Sequence, residues 1–301
     1  MDETEFSLQV DLHKGQARQG PGGEDETRQA LMLTGLFTTE SSETTSSSLD
    51  RVVWKIADLG CGTGAGTLAL ARLIPELLQQ QKPQSRQYMI DITAVDLSSQ
   101  FLTVLEQRAQ KQQQEKIGDN NKNDNNIAVE IHTKCGSMAA DSLALLFPSQ
   151  DESSLDMIWS EGAIYNIGFE TGIKTWKPFL KASGILAVSE ITWTTPASVR
   201  PKEIQEYWDK EYPEMTTAAV NMALLEQHGY AVVGYFVLPP HCWLQNYYRP
   251  LQEHFHDFVE GQRATLEKQA TATVESYQEE IRMYETYKDY YSYGFYIARK
   301  V

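Results

Sequence analysis

Cysteine, basic residues and long apolar runs are all scarce in this 301-residue chain. Its three cysteines, Cys61, Cys135 and Cys242, have neither zinc-ligand spacing nor a disulfide pattern, so a reduced protein without a metal site is the expectation. Lys and Arg number 26 against 41 Asp and Glu, for a formal charge of −15. That balance offers no basic face to grip a phosphate backbone or an anionic membrane surface. No stretch approaches a membrane span, and the acidic, mixed segment Met1 to Lys14 lacks the apolar core of a secretion signal. These absences predict a soluble cytoplasmic protein, monomer or homodimer, whose partner is neither nucleic acid nor membrane.

What the chain does have is alternation. Short apolar runs at Val52–Ala57, Tyr88–Val95, Ile127–Thr133, Leu155–Ser160, Gly184–Ile191 and Tyr230–Leu238 read as strands. Helical patterns separate them, as after Gly66 and after Ser99. This argues a mostly parallel sheet covered on both faces. Three polar stretches, Thr38 to Asp50, Gln79 to Gln87 and Ala109 to Asn126, have too little apolar surface to order and read as flexible surface loops. Pro239 to Tyr290 reads as largely helical and Tyr291 to Ala298 as a final strand. Tyr277, Ile281, Tyr284 and Tyr287 share one helix face, a pattern expected of packing.

The densest local signal is Ile56-Ala57-Asp58-Leu59-Gly60-Cys61-Gly62-Thr63-Gly64-Ala65-Gly66-Thr67. A strand, an acid, a glycine turn and a helix start in succession form a nucleotide-binding turn. Gly60, Gly62 and Gly64 permit a tight backbone and close ligand approach, and Cys61 within the turn behaves as a small hydrophobe. Free N–H groups of the turn and the helix start can meet a carboxylate. Asp58 can accept hydrogen bonds at the turn or, across a water, from a cationic amine. Asp96, ending the next strand, can accept from both hydroxyls of an adenosine ribose. A dinucleotide turn wants G-x-G-x-x-G; counted from Gly60 the third position is Ala65, a permitted but weaker variant, and from Gly62 it is Thr67. Gly60 to Asp96 also exceeds the usual spacing of about 20 residues. S-adenosylmethionine (SAM) is therefore favoured over NAD, with S-adenosylhomocysteine (SAH) as product.

Asp58 to Gly64 together with Asp96 resembles the cofactor signature of class I SAM-dependent methyltransferases. The segments Arg18–Gly22, Gly136–Met138, Trp159–Phe169 and Leu186–Glu190 are similar to the bacterial UbiE-like small-molecule methyltransferase subfamily, whose substrate is not established. The resemblance spans about Phe6 to Lys300. It implies an α/β Rossmann-like seven-stranded sheet with an antiparallel last strand and helices on both faces. A single domain over 1–301 follows, with an N-terminal helical lid and flexible loop (1–50), a SAM-binding core (51–238), a helical cap (239–290) inserted before the last strand, and that final strand (291–301). The resemblance further implies that Gln19 and its neighbours fold over the cofactor, that Asp96 and Leu97 meet the ribose region, and that Ser137 and Met138 neighbour the adenine. Ala139 and Ala140 stand where many relatives carry an acid for the adenine amine.

The implied activity is methyl transfer from SAM to the N, O or C atom of a small acceptor. A protein or RNA methyltransferase and a non-catalytic SAM-binding module are the alternatives. Glu161, ending an apolar strand, can orient an acceptor or touch the methionine amine. It and His241 are the candidate bases if a proton must leave. Tyr165, Asn166, Trp193, Trp243 and Tyr247 are the candidate acceptor-pocket residues, each with ordinary packing as the competing explanation.

Overall fold

The structure is a computed structural model that describes residues 2–37, 51–80, 87–118, 126–147 and 153–301. Of the three polar stretches, residues 38–50, 81–86 and 119–125 lie outside this description. The chain opens with two helices, α1 (Glu3–His13) and α2 (Glu24–Thr34). It continues through β1 (Val52–Leu59), α3 (Ala65–Gln79), β2 (Tyr88–Asp96), α4 (Ser99–Gly118), β3 (Ile127–Cys135), α5 (Ala140–Leu146) and β4 (Leu155–Glu161). Next come α6 (Phe169–Trp176), β5 (Leu180–Trp193), α7 (Lys202–Glu211), a two-residue β6 (Thr216–Thr217), α8 (Ala218–Gln227) and β7 (Tyr230–Val237). The helices α9 (Pro240–Trp243), α10 (Arg249–Gln262) and α11 (Glu267–Tyr287) precede β8 (Tyr291–Lys300).

The strands order as β3-β2-β1-β4-β5-β8-β7, with β6 paired to β5 off this path. β8 runs antiparallel to both β5 and β7, and the other pairings are parallel. Chain order reverses between β1 and β4, which creates the crevice where open α/β sheets bind ligands. Asp58 lies opposite Trp159 across that pair. Asp58 and Glu161 are thereby carried to the same sheet edge from strands distant in sequence.

Both faces of β5 are buried from Gly184 to Trp193, around the apolar run Gly184–Val188. Ile185, Ala187, Ile191 and Trp193 join the core shared with α2, α3, α10 and α11. Leu186 and Val188 join the core shared with α6 and α8.

One expectation needs correction. Ala109 to Gly118 is helix, not loop. Leu102 and Leu105 anchor α4 in the interior, and the Gln, Lys and Glu that follow are good helix formers once a helix has begun. The N-terminal segment is helical, as the lid reading expects. Asp2 caps α1 by accepting from the Glu5 amide at 2.8 Å, and Leu8, Val10 and Leu12 are buried. Among the described residues, no helix is long and apolar enough to cross a membrane.

Candidate functional site

A cavity of about 740 Å³ lies over the β1/β4 crevice. Its walls come from the glycine turn, the ends of β2 and β4, the segment before α5, residues 18–21, α1 and α11. Of the expected cofactor residues, Gln19, Asp58, Gly60, Cys61, Gly62, Asp96, Leu97, Ser137, Met138 and Glu161 all line it. Gly64 does not. Its φ is +90°, and a Cβ there would strike Leu105 at 2.1 Å, so this glycine serves the packing of the turn on α4.

The turn is held from within the chain. Gly60 and Cys61 donate to the Val95 carbonyl at 2.8 and 3.0 Å, and Gly64 donates to the Cys61 carbonyl at 2.9 Å. The Gly62 amide donates to Asp96 at 2.9 Å, and the Thr63 amide donates to Gln19 at 2.9 Å. The expectation that the turn amides meet a ligand is therefore corrected: all five are engaged. The amides left for an anionic group are those of the first turn of α3, which lack intrahelical acceptors. Ala65 and Gly66 of that turn line the cavity.

Asp96 accepts from Gly62 and also from the Ser98 amide at 2.9 Å. A carboxylate has about four lone-pair sites, so it retains capacity for ligand hydroxyls. Burial pushes its pKa upward. Asp58 is 2% exposed and accepts from Thr67 at 2.6 Å. Burial first, then the Glu161 and Asp96 charges, push Asp58 up to about 7 against the opposing Thr67 bond. Ser137 receives the Ala139 amide at 3.1 Å, and the Met138 carbonyl receives the Trp176 indole at 2.9 Å. Phe101, not singled out from sequence, adds a ring to the wall beside Leu97.

Glu161 is surrounded by partners. Its Oε2 pairs with the Arg18 guanidinium, its Oε1 accepts from Trp159 Nε1 at 3.0 Å, and the Thr27 hydroxyl lies 3.3 Å away. These contacts tie the residues before and within α2 to the end of β4. Gln19 and Arg108 complete the tie. Gln19 Nε2 donates to Thr63 Oγ1 at 2.9 Å. Arg108 donates to Thr63 Oγ1 at 2.6 Å and to the Gln16 carbonyl at 2.9 Å.

The acceptor candidates divide. Tyr165 and Asn166 line the cavity; Asn166 also donates to the Ala163 carbonyl at 2.9 Å, which fixes the loop. Trp193, Trp243, Tyr247 and His241 lie outside the lining. Trp193 is 3% exposed and already carries a cation, the Arg200 guanidinium 4.2 Å from its ring centre. Trp243 stacks on Tyr284 at 4.3 Å and donates to Ser292 at 2.9 Å. Tyr247 is buried and stacks on His13. His241 turns to Glu26, with 3.2 Å between Nε2 and Oε1, and the Cys242 thiol lies 3.7 Å from the same nitrogen. Glu26, His241 and Cys242 thus form a group with donor atoms within metal-binding reach of one another, which the cysteine spacing did not suggest.

Three further cavity residues, linked to one another across α1 and α11, also escaped sequence reading. Tyr277 on α11 donates to Gln9 at 2.7 Å and lies 2.8 Å from His13 Nε2. All three line the cavity. Of these, only Tyr277 had a signal, its place in the aromatic stripe.

Neither a protein-family model nor a curated protein matches this sequence. Solved structures do. A SAM-dependent methyltransferase from Geobacter sulfurreducens in complex with SAH matches with a TM-score of 0.57 and 15% identity, over 91% of this chain and 98% of that one. The 4+2 cyclase SpnF matches with 0.56 and 15%, over 91% and 80%. Phosphoethanolamine N-methyltransferase 2 of Haemonchus contortus matches with 0.55 and 16%, over 98% of this chain but only 57% of that one. The likeness is one of fold: the chain has the class I SAM-dependent methyltransferase fold. Fold does not by itself fix the reaction, as the cyclase among these three illustrates.

Proposed function

We propose that the chain is a SAM-dependent methyltransferase acting on a small molecule. One observation carries the reading: Asp58, Asp96 and the glycine turn converge on one cavity, and the turn amides are already engaged. A dinucleotide would bring a pyrophosphate against a lining that holds five carboxyl groups and one guanidinium, Arg18. A ligand with a cationic centre and a ribose suits both carboxylates. Two of the three solved structures named above are themselves called methyltransferases, which supports the reading at the level of fold.

In this reading Asp96 holds the ribose hydroxyls. Leu97, Phe101 and Met138 flank the base, and Asp58 faces the methionine ammonium. Arg18 and the first turn of α3 receive the methionine carboxylate. When bound, SAM supplies a methyl group already activated on a sulfonium, whose C–S electron pair returns to sulfur as the acceptor lone pair attacks. The protein aligns donor and acceptor and keeps water out. Glu161 acts as a positioning residue that fastens the N-terminal segment, since Arg18 and Trp159 occupy its oxygens. The roof formed by α1 and residues 18–21 suits a small acceptor better than a macromolecule.

Calorimetric titration with SAM, SAH and NAD tests this. Micromolar SAM or SAH binding with no NAD response is expected; NAD binding, or silence from SAM and SAH, overturns the proposal.

A further inference from the structure

One group of reactive side chains lies apart from the cavity. Glu26 sits in the first turn of α2, and His241 and Cys242 are adjacent on α9. None of the three lines the cavity. Their donor atoms all lie within 4.8 Å of one another. His241 Nε2 stands 3.2 Å from Glu26 Oε1 and 3.7 Å from Cys242 Sγ.

The backbone is fixed on both sides of this group. On α2 the Gly23 carbonyl accepts from the Thr27 amide and hydroxyl, each at 3.0 Å. A Cβ on Gly23 would strike Glu26 Oε2 at 2.1 Å, so the glycine leaves room for the carboxylate. On α9 the Cys242 amide donates to the Pro239 carbonyl at 3.0 Å, and the neighbouring Trp243 is held by Tyr284 and Ser292. Asn246 crosses the seam between the two sides, donating to the Gly22 carbonyl at 2.8 Å.

Within this frame one polar atom has no partner. Glu26 is 6% exposed, and its Oε2 is buried without a hydrogen bond, a costly condition for a carboxylate that a bound cation relieves. Cys242 is fully buried, whereas the His241 side chain is 48% exposed and leaves a way in from solvent. Arg18 and Glu161 act on the Cys242 thiol with opposite signs and pair with each other, so they bring little net charge. Burial, then the Glu26 charge, push that thiol upward and keep its proton on. A divalent cation inverts this, because a coordinating thiol is deprotonated outright.

The donor set selects the ion. Mg2+ and Ca2+ take oxygen ligands, whereas thiolate, imidazole and carboxylate together suit Zn2+. At ordinary zinc bond lengths, tetrahedral ligand atoms stand about 3.6 Å apart for S and N and about 3.4 Å for N and O. The observed 3.7 and 3.2 Å are close to both. We propose that Glu26, His241 and Cys242 bind a Zn2+ ion, with water as fourth ligand and the thiol proton released to solvent. The ion clasps α2 to α9, outside the cavity, and the proposal stands independently of the SAM reading.

The test uses the full-length protein, stripped by a chelator and titrated with Zn2+ against a chromophoric competitor, then with Co2+ by absorbance. One equivalent of Zn2+ is expected to bind with a Kd of about 1 μM or tighter. Bound Co2+ should show a thiolate-to-cobalt charge-transfer band and the strong visible bands of four-coordination. Cys242→Ser should abolish the charge-transfer band. His241→Ala, a change at a half-exposed side chain, should weaken Zn2+ by about 100-fold, the upper end of what changes behind the ligands cost. Zn2+ should raise the melting temperature of the wild type and not of His241→Ala. Zn2+ binding weaker than about 1 μM, or a cobalt spectrum without the thiolate band, overturns the proposal. So does a His241→Ala variant that binds Zn2+ like the wild type, which would move the ion to another group such as His132 with Asp91 and Glu130.

Discussion

Arg18 and Glu161, separated by 143 residues, form an ion pair with side chains only 13% and 12% exposed. The pair joins the segment before α2 to the carboxyl end of β4, beside Asp58. Removing one partner strands the other in a poorly solvated place, at a cost of roughly 3 kcal/mol. Arg18→Met should lower the melting temperature and weaken SAH binding together. Glu161→Gln, which can still accept from Trp159, should be the milder variant. Once an acceptor is in hand, Glu161→Gln should keep most of its transfer rate. A loss of about 100-fold or more would instead mark Glu161 as a general base.

Asp96 serves the fold and the ligand at once, because it holds the Gly62 and Ser98 amides. Asp96→Ala should cost about 1 kcal/mol for each amide bond, and SAH affinity should fall by about 100-fold. Asp96→Asn should be intermediate in both. Calorimetry paired with thermal melts measures the two effects, and an unchanged SAH affinity removes Asp96 from the ribose.

Gln19 meets both the amide and the hydroxyl of Thr63. Gln19→Ala should loosen residues 14–22 from the glycine turn and leave the sheet intact. Faster amide exchange confined to that segment, with quicker SAH dissociation, is the expected result. Exchange spread through β1 and β2 would show that the contact supports the core instead.

The buried acids set a pH dependence. Asp58, Glu190 and Glu280 keep protons in the folded chain up to about 7, 8 and 7, whereas the unfolded chain releases them near pH 4. Folded protein therefore binds more protons than unfolded across that window, and stability falls as pH rises. His13 acts oppositely between about 4 and 6.5, since it is neutral when folded and protonated when unfolded. The ligand-free melting temperature should thus decline from about pH 6.5 to 8. Glu190→Gln should raise it at pH 8 and flatten the slope; a slope unaltered by that change assigns the dependence elsewhere.

The sheet and the glycine turn were legible in the sequence because each is written locally. A strand, a turn and a helix start are adjacent from Ile56 to Thr67, and Asp96 ends its own strand. The roof was not. Leu8, Val10 and Leu12 are among the few apolar residues in a polar segment, yet all three are buried in a helix packed against α10 and α11. Tyr277 reaches Gln9 across 268 residues, a relation no local pattern encodes. Trp193 and Trp243 illustrate the reverse error. Their place near the sheet edge was readable, but the direction of each ring depends on partners, Arg200 and Tyr284, that come from other elements.

Arg18, Gln19 and Arg108 are three latches on one door. Residues 2–21 cover part of the cavity, so release of these contacts widens the way out, and the dwell time of a ligand beneath them depends on how often they open. Two chains alike in every strand and differing only in these latches would hold the same ligand for different lengths of time.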